Sequence, residues 1–232
     1  MELDLNADLG EGAGFDVDLM PLITSANVCC GLHAGSPTEI AATLELAKMY
    51  GVVVGAHPGY ADRANFGRVE YDLPDKDIAA AVLFQLAAID ALANTIGLRV
   101  KYVKPHGALY NQACRDRRLA DAIIGAALRF QLPVVGLPGS QLEAACRDRL
   151  PFVAEGFADR RYRADGSLVS RNEPNAFVHD PDEAVKQVEW LIREKGIRTV
   201  CVHGDNPDAV AFAKAVREAL LLKGVTLKPF TG

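Results

Sequence analysis

Val52-Val53-Val54-Gly55-Ala56-His57-Pro58-Gly59-Tyr60 runs from an apolar stretch straight into a histidine hemmed by glycine and proline. A short apolar run bounded by such residues reads as a buried strand ending at a turn. The same join recurs along the chain. Cys30-Gly31-Leu32-His33-Ala34-Gly35 follows an apolar run opening at Ser25, Val103-Lys104-Pro105-His106-Gly107-Ala108 closes one opening at Val100, and Cys201-Val202-His203-Gly204-Asp205 closes one opening at Arg198. Asn6-Ala7-Asp8-Leu9-Gly10-Glu11-Gly12 ends the first run in the same manner. Four of the five histidines therefore follow candidate strands.

The strands read in this way span 2–8, 25–29, 52–56, 100–104, 133–137, 152–156 and 198–203. Their Val, Ile and Leu content suits buried parallel strands. Helical segments alternate with them. Ser36-Pro37-Thr38-Glu39 is a capping box with proline at the first helical position, and Gly51 can close that helix. Further helices are expected over 75–97, 119–130, 140–149 and 180–196, and from 206 to about 224. Repeated βα units fit a barrel or a doubly wound sheet. The polar clusters favour the barrel, because a barrel gathers every strand's C-terminal end around one mouth, whereas an open sheet gathers only those near its switch point. No linker or low-complexity tract interrupts the sequence, so one domain over 1–232 is expected.

At 232 residues, with 50% hydrophobic and 24% charged residues, the chain has the balance of a globular enzyme-sized protein. Lys plus Arg is 25 against 30 Asp plus Glu, a net charge of −5, which disfavours nucleic-acid binding. The first residues are acidic and carry no signal-like apolar region, and the apolar stretch 78–89 is interrupted by Gln85. A cytoplasmic protein away from membranes is expected. Five cysteines, two of them adjacent and none in a C-x-x-C pattern, suggest reduced thiols, with Cys29 and Cys30 as packing residues.

Glycine lets backbone approach a small ligand, and proline holds the residue before it extended, so His57 and Lys104 are aimed from their strand ends. Asp8 and Glu11 are either loop carboxylates or the bases or metal ligands of a site. Lys104 is either a solvated tip or a cation for an anionic substrate. The charged segment 157–166 after the sixth strand is either a solvated loop or a lid that brings Asp159 and an arginine to the substrate. Arg115-Asp116-Arg117-Arg118 reads as a solvated helix start. Gly10-Glu11-Gly12-Ala13-Gly14 does not match the dinucleotide fingerprint, and no G-x-x-x-x-G-K-[ST] phosphate loop occurs.

Taken together, Asp4-Leu5-Asn6-Ala7-Asp8-Leu9-Gly10-Glu11, Ala26-Asn27, the His33, His57 and His203 segments, Val103 through Asn111 and Phe157-Ala158-Asp159-Arg160 resemble the LamB/YcsF family, which includes the A-type subunit of the prokaryotic 5-oxoprolinase. The likeness runs from about residue 3 to 227 with the motifs in order. Where that family often has Asp after His-Ala-Gly, this chain has Ser36, also a capping residue. The resemblance implies an irregular seven-stranded TIM-like barrel related to polysaccharide deacetylases. It further implies ATP-dependent opening of 5-oxo-L-proline to L-glutamate, with Mg, alongside partner subunits B and C.

On that reading the catalytic set is Asp8, Glu11, His33, His57, Lys104, His106, His203 and Asp205. Asp8 or Glu11 acts as base. Lys104, His57 and His106 hold the carboxylate or phosphate, and His33 or His203 supplies a proton. Asp205 orients a histidine or aids the base. Asn6, Asn27, Tyr110, Asn111, Asp159 and Arg160 are the expected substrate contacts. ATP sits either on this chain, through helix N-termini and Lys104, or partly on a partner. Two alternatives stay open. One is a stand-alone metal-dependent amidohydrolase or deacetylase with Asp8, His33, His57 and His203 as candidate ligands. The other is a non-catalytic substrate-binding subunit.

Overall fold

The computed structural model describes residues 1–203 and 208–231. Seven parallel strands close into a ring: β1 (Glu2–Leu9), β2 (Ser25–Cys29), β3 (Val53–His57), β4 (Val100–Val103), β5 (Val134–Gly136), β6 (Phe152–Phe157) and β7 (Thr199–Cys201). Because β1 pairs with both β2 and β7, the sheet has no free edge, and the doubly wound alternative is excluded. The ring is irregular. β3 and β4 shift register between Val54 and Gly55, and β4 meets β5 only through Val103 and Val134. A short strand, β8 (Thr226–Leu227), pairs with the start of β1 outside the ring.

β1 shows how sequence sets the two faces. Its Leu3, Leu5, Ala7 and Leu9 join the apolar layer beneath the helices, while Asp4, Asn6 and Asp8 alternate with them into the barrel. The helices of that outer layer are α1 (Asp16–Leu19), α2 (Pro37–Tyr50), α3 (Asp75–Thr95), α4 (Gly107–Arg115), α5 (Arg117–Ala127), α6 (Gln141–Cys146), α7 (Pro181–Trp190) and α8 (Ala209–Leu222). Ser36 and Glu39 form the full capping box of α2, and Gly51 ends it in the left-handed conformation. Asp116, Ser140 and Asp180 cap α5, α6 and α7. Asp116 lies in the predicted solvated helix start, where Arg118 pairs with Asp72 and Asp75.

α3 is long and apolar enough to cross a membrane by length and composition, at a mean hydropathy of 1.6. Its stripe of Ile78, Val82, Leu86, Ile89 and Ala93 is instead buried against the barrel. Gln85, on the same face, bonds both the N–H and the carbonyl of Gly59 at 2.9 Å.

Three elements depart from the sequence expectation. α1 is a four-residue turn, β8 spans two residues, and α4 lies within what reads as a motif loop. Gly107, at φ +52°, starts α4 where a Cβ would meet the Gly67 carbonyl at 2.7 Å, so the helix begins against a neighbouring loop. β4 and β7 also stop before Lys104 and His203. The predicted helix start at Asn206 lies outside the described residues.

The N-terminal end of the barrel is filled by Tyr102, Val135 and Val153, with Phe230 of the C-terminal tail packed on Tyr102 at 4.9 Å between ring centres. Gly55 makes room for the Tyr102 ring, since a Cβ there would lie 2.1 Å from it. Gly55→Ala is expected to destabilise by about 1–3 kcal/mol through overpacking. Gly125→Ala, in α5 with nothing within 4 Å of an added Cβ, is expected to stabilise by about 0.5–1 kcal/mol. Denaturant unfolding of the two variants checks the pair.

Candidate active site at the barrel mouth

Above that apolar plug the barrel interior is polar. At its base Asp4 accepts hydrogen bonds from Thr24 and Ser25, each 2.6 Å, and from Thr199. Burial pushes its carboxyl up to about 6. One level higher, Asn6 donates to Glu155 at 3.1 Å and to Thr199 at 2.6 Å. Asn27 donates to Asn6 at 2.7 Å and to Asp8 at 2.8 Å, and Tyr102 donates to Asn27 at 2.7 Å.

Lys104 ends in this layer, only 2% exposed. Its ammonium lies 3.0 Å from Asp8, 2.8 Å from Glu155 and 3.1 Å from the Asn6 side-chain oxygen. Burial opposes the charge, but the carboxylates of Asp8 and Glu155 outweigh it and hold the pKa well above the usual lysine range. It is therefore a permanent cation. Asn6 and Asn27, expected as substrate contacts, lie beneath the mouth and orient Lys104 and Asp8.

At the mouth three imidazoles surround Glu11. His33 Nε2 is 3.0 Å and His106 Nδ1 is 3.2 Å from Glu11 Oε1, and His57 Nε2 is 3.8 Å from the same oxygen. His57 Nε2 also lies 3.4 Å from Asp8. Two backbone carbonyls set the ring orientations. His57 Nδ1 donates to the Lys104 carbonyl at 2.7 Å, and His106 Nε2 donates to the Phe66 carbonyl at 2.8 Å. The protons of the neutral rings are thereby committed outward. His57 Nε2 and His106 Nδ1, 3.0 Å apart, face each other with lone pairs beside two carboxylates. One cation between them resolves that arrangement.

A proton is one such cation. Burial opposes it on His57, yet Asp8 and Glu11 raise that ring's pKa. His33 behaves oppositely, as burial outweighs its bond to Glu11 and lowers it to about 4. Burial also lowers His106, which stacks on His33 at 3.9 Å. Asp8 and Glu11 are both held well below the carboxylate range; burial opposes this, but His57 and Lys104 outweigh it at Asp8, and His106 and His33 do so at Glu11.

A divalent metal is the other. Ligand atoms around a metal at about 2.1 Å stand about 3.0–3.4 Å apart. His57 Nε2–His106 Nδ1 at 3.0 Å and His106 Nδ1–Glu11 at 3.2 Å match this, and His57 Nε2–Glu11 at 3.8 Å stands somewhat wider. The outward bonds to carbonyls are the supporting contacts that metal-binding histidines make. The donor set that fits is Glu11, His57 and His106, with His33 alongside, and not the full set read from sequence. His203 lies elsewhere, grouped with Asp8 and Cys201.

Across the mouth, His203 Nδ1 lies 2.7 Å from Asp159, and burial of Asp159 is outweighed by His203, which lowers the Asp159 carboxyl. Tyr110 is buried with its hydroxyl unpartnered and lines the mouth with Asn111 and Arg160. Asp205 lies outside the described residues. Burial leaves Cys201 with a pKa well above the usual thiol range despite Lys104 beside it, and burial pushes Cys29 up to about 12, so neither is a ready thiolate. Sequence reading missed Glu155, although it is the single charged residue inside β6. It also missed Phe66, whose part is played by a backbone carbonyl that leaves no sequence trace.

The model of the LamB/YcsF family matches residues 3–232. The chain belongs to the LamB/YcsF family. A structure described as a lactam utilization protein from Thermus thermophilus is 42% identical, with a TM-score of 0.91 over 99% of this chain and all of that one. More distant likenesses, a family 4 carbohydrate esterase from Streptomyces lividans (13% identity, TM-score 0.56, 99% and 93% covered) and a peptidoglycan deacetylase from Bacillus subtilis (13%, 0.51, 98% and 86%), share the barrel. The deacetylase-type barrel expected from the resemblance is thus the fold of this LamB/YcsF chain.

Depressed carboxylates stabilise the fold above their unfolded values and lose that contribution as pH falls. With ordinary values of 3.8 for Asp8 and 4.5 for Glu11, the loss begins as pH drops below about 5. Thermal melts between pH 6 and 3 are expected to show a falling Tm for the wild type and a shallower fall for Glu11→Gln.

Proposed function

We propose that this chain is the A-type subunit of an ATP-dependent 5-oxoprolinase. It opens the lactam of 5-oxo-L-proline to L-glutamate, with ATP converted to ADP and phosphate, and works with partner subunits B and C. The observation that carries the reading is a water-restricted mouth holding two ionised carboxylates among three imidazoles, without an activated serine or cysteine nucleophile among the described residues. That equipment suits activation of water against an amide. Family membership and the 42% identical lactam utilization protein support the substrate class.

An unstrained lactam resists water because its nitrogen leaves poorly. Transfer of the ATP γ-phosphoryl group to the lactam oxygen forms an O–P bond, releases ADP and makes the ring carbon electrophilic. Asp8 or Glu11, each held ionised, takes the proton of the attacking water. The C–N bond then breaks, and His203, oriented by Asp159, hands a proton to the departing nitrogen. The γ-glutamyl phosphate so formed is hydrolysed by a second water to glutamate and phosphate. Asp205, expected to orient a histidine or aid the base, lies outside the described residues, and on this reading Asp159 is the residue that orients His203. His33, lowered to about 4, is neutral at pH 7 and serves to fix Glu11 and not as a proton donor. Lys104 fixes Asp8 from below and supplies positive potential to the mouth.

A second reading, a metal-dependent amide hydrolase, is favoured by the inward lone pairs of His57 and His106. A metal held by Glu11, His57 and His106 would lower the pKa of bound water and polarise a carbonyl.

A coupled assay for ADP and glutamate, run on the chain alone and with subunits B and C, tests the first reading. Turnover that requires 5-oxoproline, ATP and all three subunits is expected. Turnover by the chain alone, abolished by chelation, would select the metal-dependent reading. In parallel, equilibrium dialysis with Zn²⁺ or Co²⁺ is expected to show one metal per chain, lost in His106→Ala, if the second reading holds.

A further inference from the structure

The segment 158–180 folds back over one side of the mouth through the Arg160–Phe177 and Tyr162–Leu168 bridges. Between it and the start of α4 lies a cavity of about 580 Å³. It adjoins the mouth, and Arg68, Gly107, Asn111, Arg160, Leu168 and Arg171 line both. No step of the proposed chemistry uses this space.

Its walls are cationic: Arg68, Arg115, Arg160, Arg163 and Arg171 stand against Glu70 and Asp165. At the rim, Arg115 pairs with Glu70 and Arg163 with Glu173, exposed pairs of small energy. Arg160 is different. It is 4% exposed, its Nη2 donates to the Val169 carbonyl at 2.5 Å, and its buried Nε has no partner. The adjacent Asp159 is engaged through Oδ2 with the His203 ring and backbone N–H. Arg160 and Arg171 share one ring, their guanidinium carbons 5.2 and 5.4 Å from the centre of Phe177. Two like charges at one ring repel, and burial followed by Arg171 depresses Arg160 to about 10, while Asp159, whose Oδ1 is itself buried without a hydrogen-bond partner, offsets part of this. A bound anion would relieve the repulsion and satisfy the unpartnered N–H. α4 adds to the field. It begins without a side-chain cap, and its first residues, Gly107 and Ala108, form part of the wall.

We infer that this cleft binds a phosphate-bearing anion, with Arg160 and Arg171 gripping the phosphoryl group beside the reaction mouth. Its existence stands on the arginine geometry. Its assignment to the reaction, as the phosphates of the nucleotide or of the phosphorylated lactam, rests on the oxoprolinase reading. Forked guanidinium donors match phosphate oxygens, and the cavity adjoins the mouth where such a group would be transferred or released.

Isothermal titration of the purified chain with inorganic phosphate, tripolyphosphate, ADP and ATP tests this. At least one is expected to bind, more weakly as salt rises, with affinity reduced at least tenfold in Arg171→Ala and further in Arg160→Gln. Arg171→Ala, a half-buried site, keeps the test valid if Arg160→Gln fails to fold, as thermal melts will show. ADP binding at least tenfold tighter than tripolyphosphate places the nucleotide here; equal binding of inorganic phosphate and ADP assigns the cleft to the phosphorylated lactam. No binding by any of the four, or binding unchanged in Arg171→Ala, overturns the proposal. Such a failure alongside 5-oxoproline turnover by the three-subunit mixture removes the cleft and spares the oxoprolinase reading. Binding without that turnover does the reverse.

Discussion

The buried ammonium of Lys104 is the interaction on which the rest of the mouth depends. A charge enclosed by a barrel is costly unless it is paired and fully hydrogen-bonded, and removing one partner of such a pair typically costs about 3–5 kcal/mol. Here Asp8 and Glu155 flank it and Asn6 completes its shell. Asn6 in turn ties to Thr199 and Asn27, so strands β1, β2, β6 and β7 are joined through one polar core to the lysine that follows β4. A closed ring with an apolar plug at one end shields that core from below.

The same residue governs the chemistry above it. Its side chain joins His57 in keeping Asp8 ionised, and its backbone carbonyl fixes the Nδ1 proton of His57. His106 is set from two sides, its backbone N–H donating to the Pro58 carbonyl and its ring to that of Phe66. The result is a centre in which carboxylates face imidazole lone pairs, with little freedom to relax. Such preorganisation suits a reaction that develops charge on a small substrate.

Much of this was legible in the sequence because strand ends are punctuated. Glycine and proline beside His33, His57, His106 and His203 announced a shared mouth, and Ser36 with Glu39 announced a helix start that the structure reproduces atom for atom. What stayed hidden has physical causes. The helix α4 depends on contact with the Gly67 loop, which no local pattern encodes. Asn6 and Asn27 read as ligand contacts because polar residues near a strand end look alike whether they face solvent or a buried lysine. Their inward layer became clear only from the barrel's register, which pairs Asp8 with Asn27 and Asn6 with Cys201. The contribution of segment 158–180 to two cavities depends on how it folds back, and the sequence left a solvated loop or a lid open for 157–166.

Asp8, poised between Lys104 and His57, is the candidate base that also ties the buried lysine to the imidazoles of the mouth. The most direct test is 5-oxoproline-dependent ADP release by the assembled three-subunit enzyme carrying Asp8→Asn, with assembly verified by gel filtration. An intact complex whose kcat falls by roughly 10²–10⁴ is the predicted result. An intact complex turning over at the wild-type rate would contradict it.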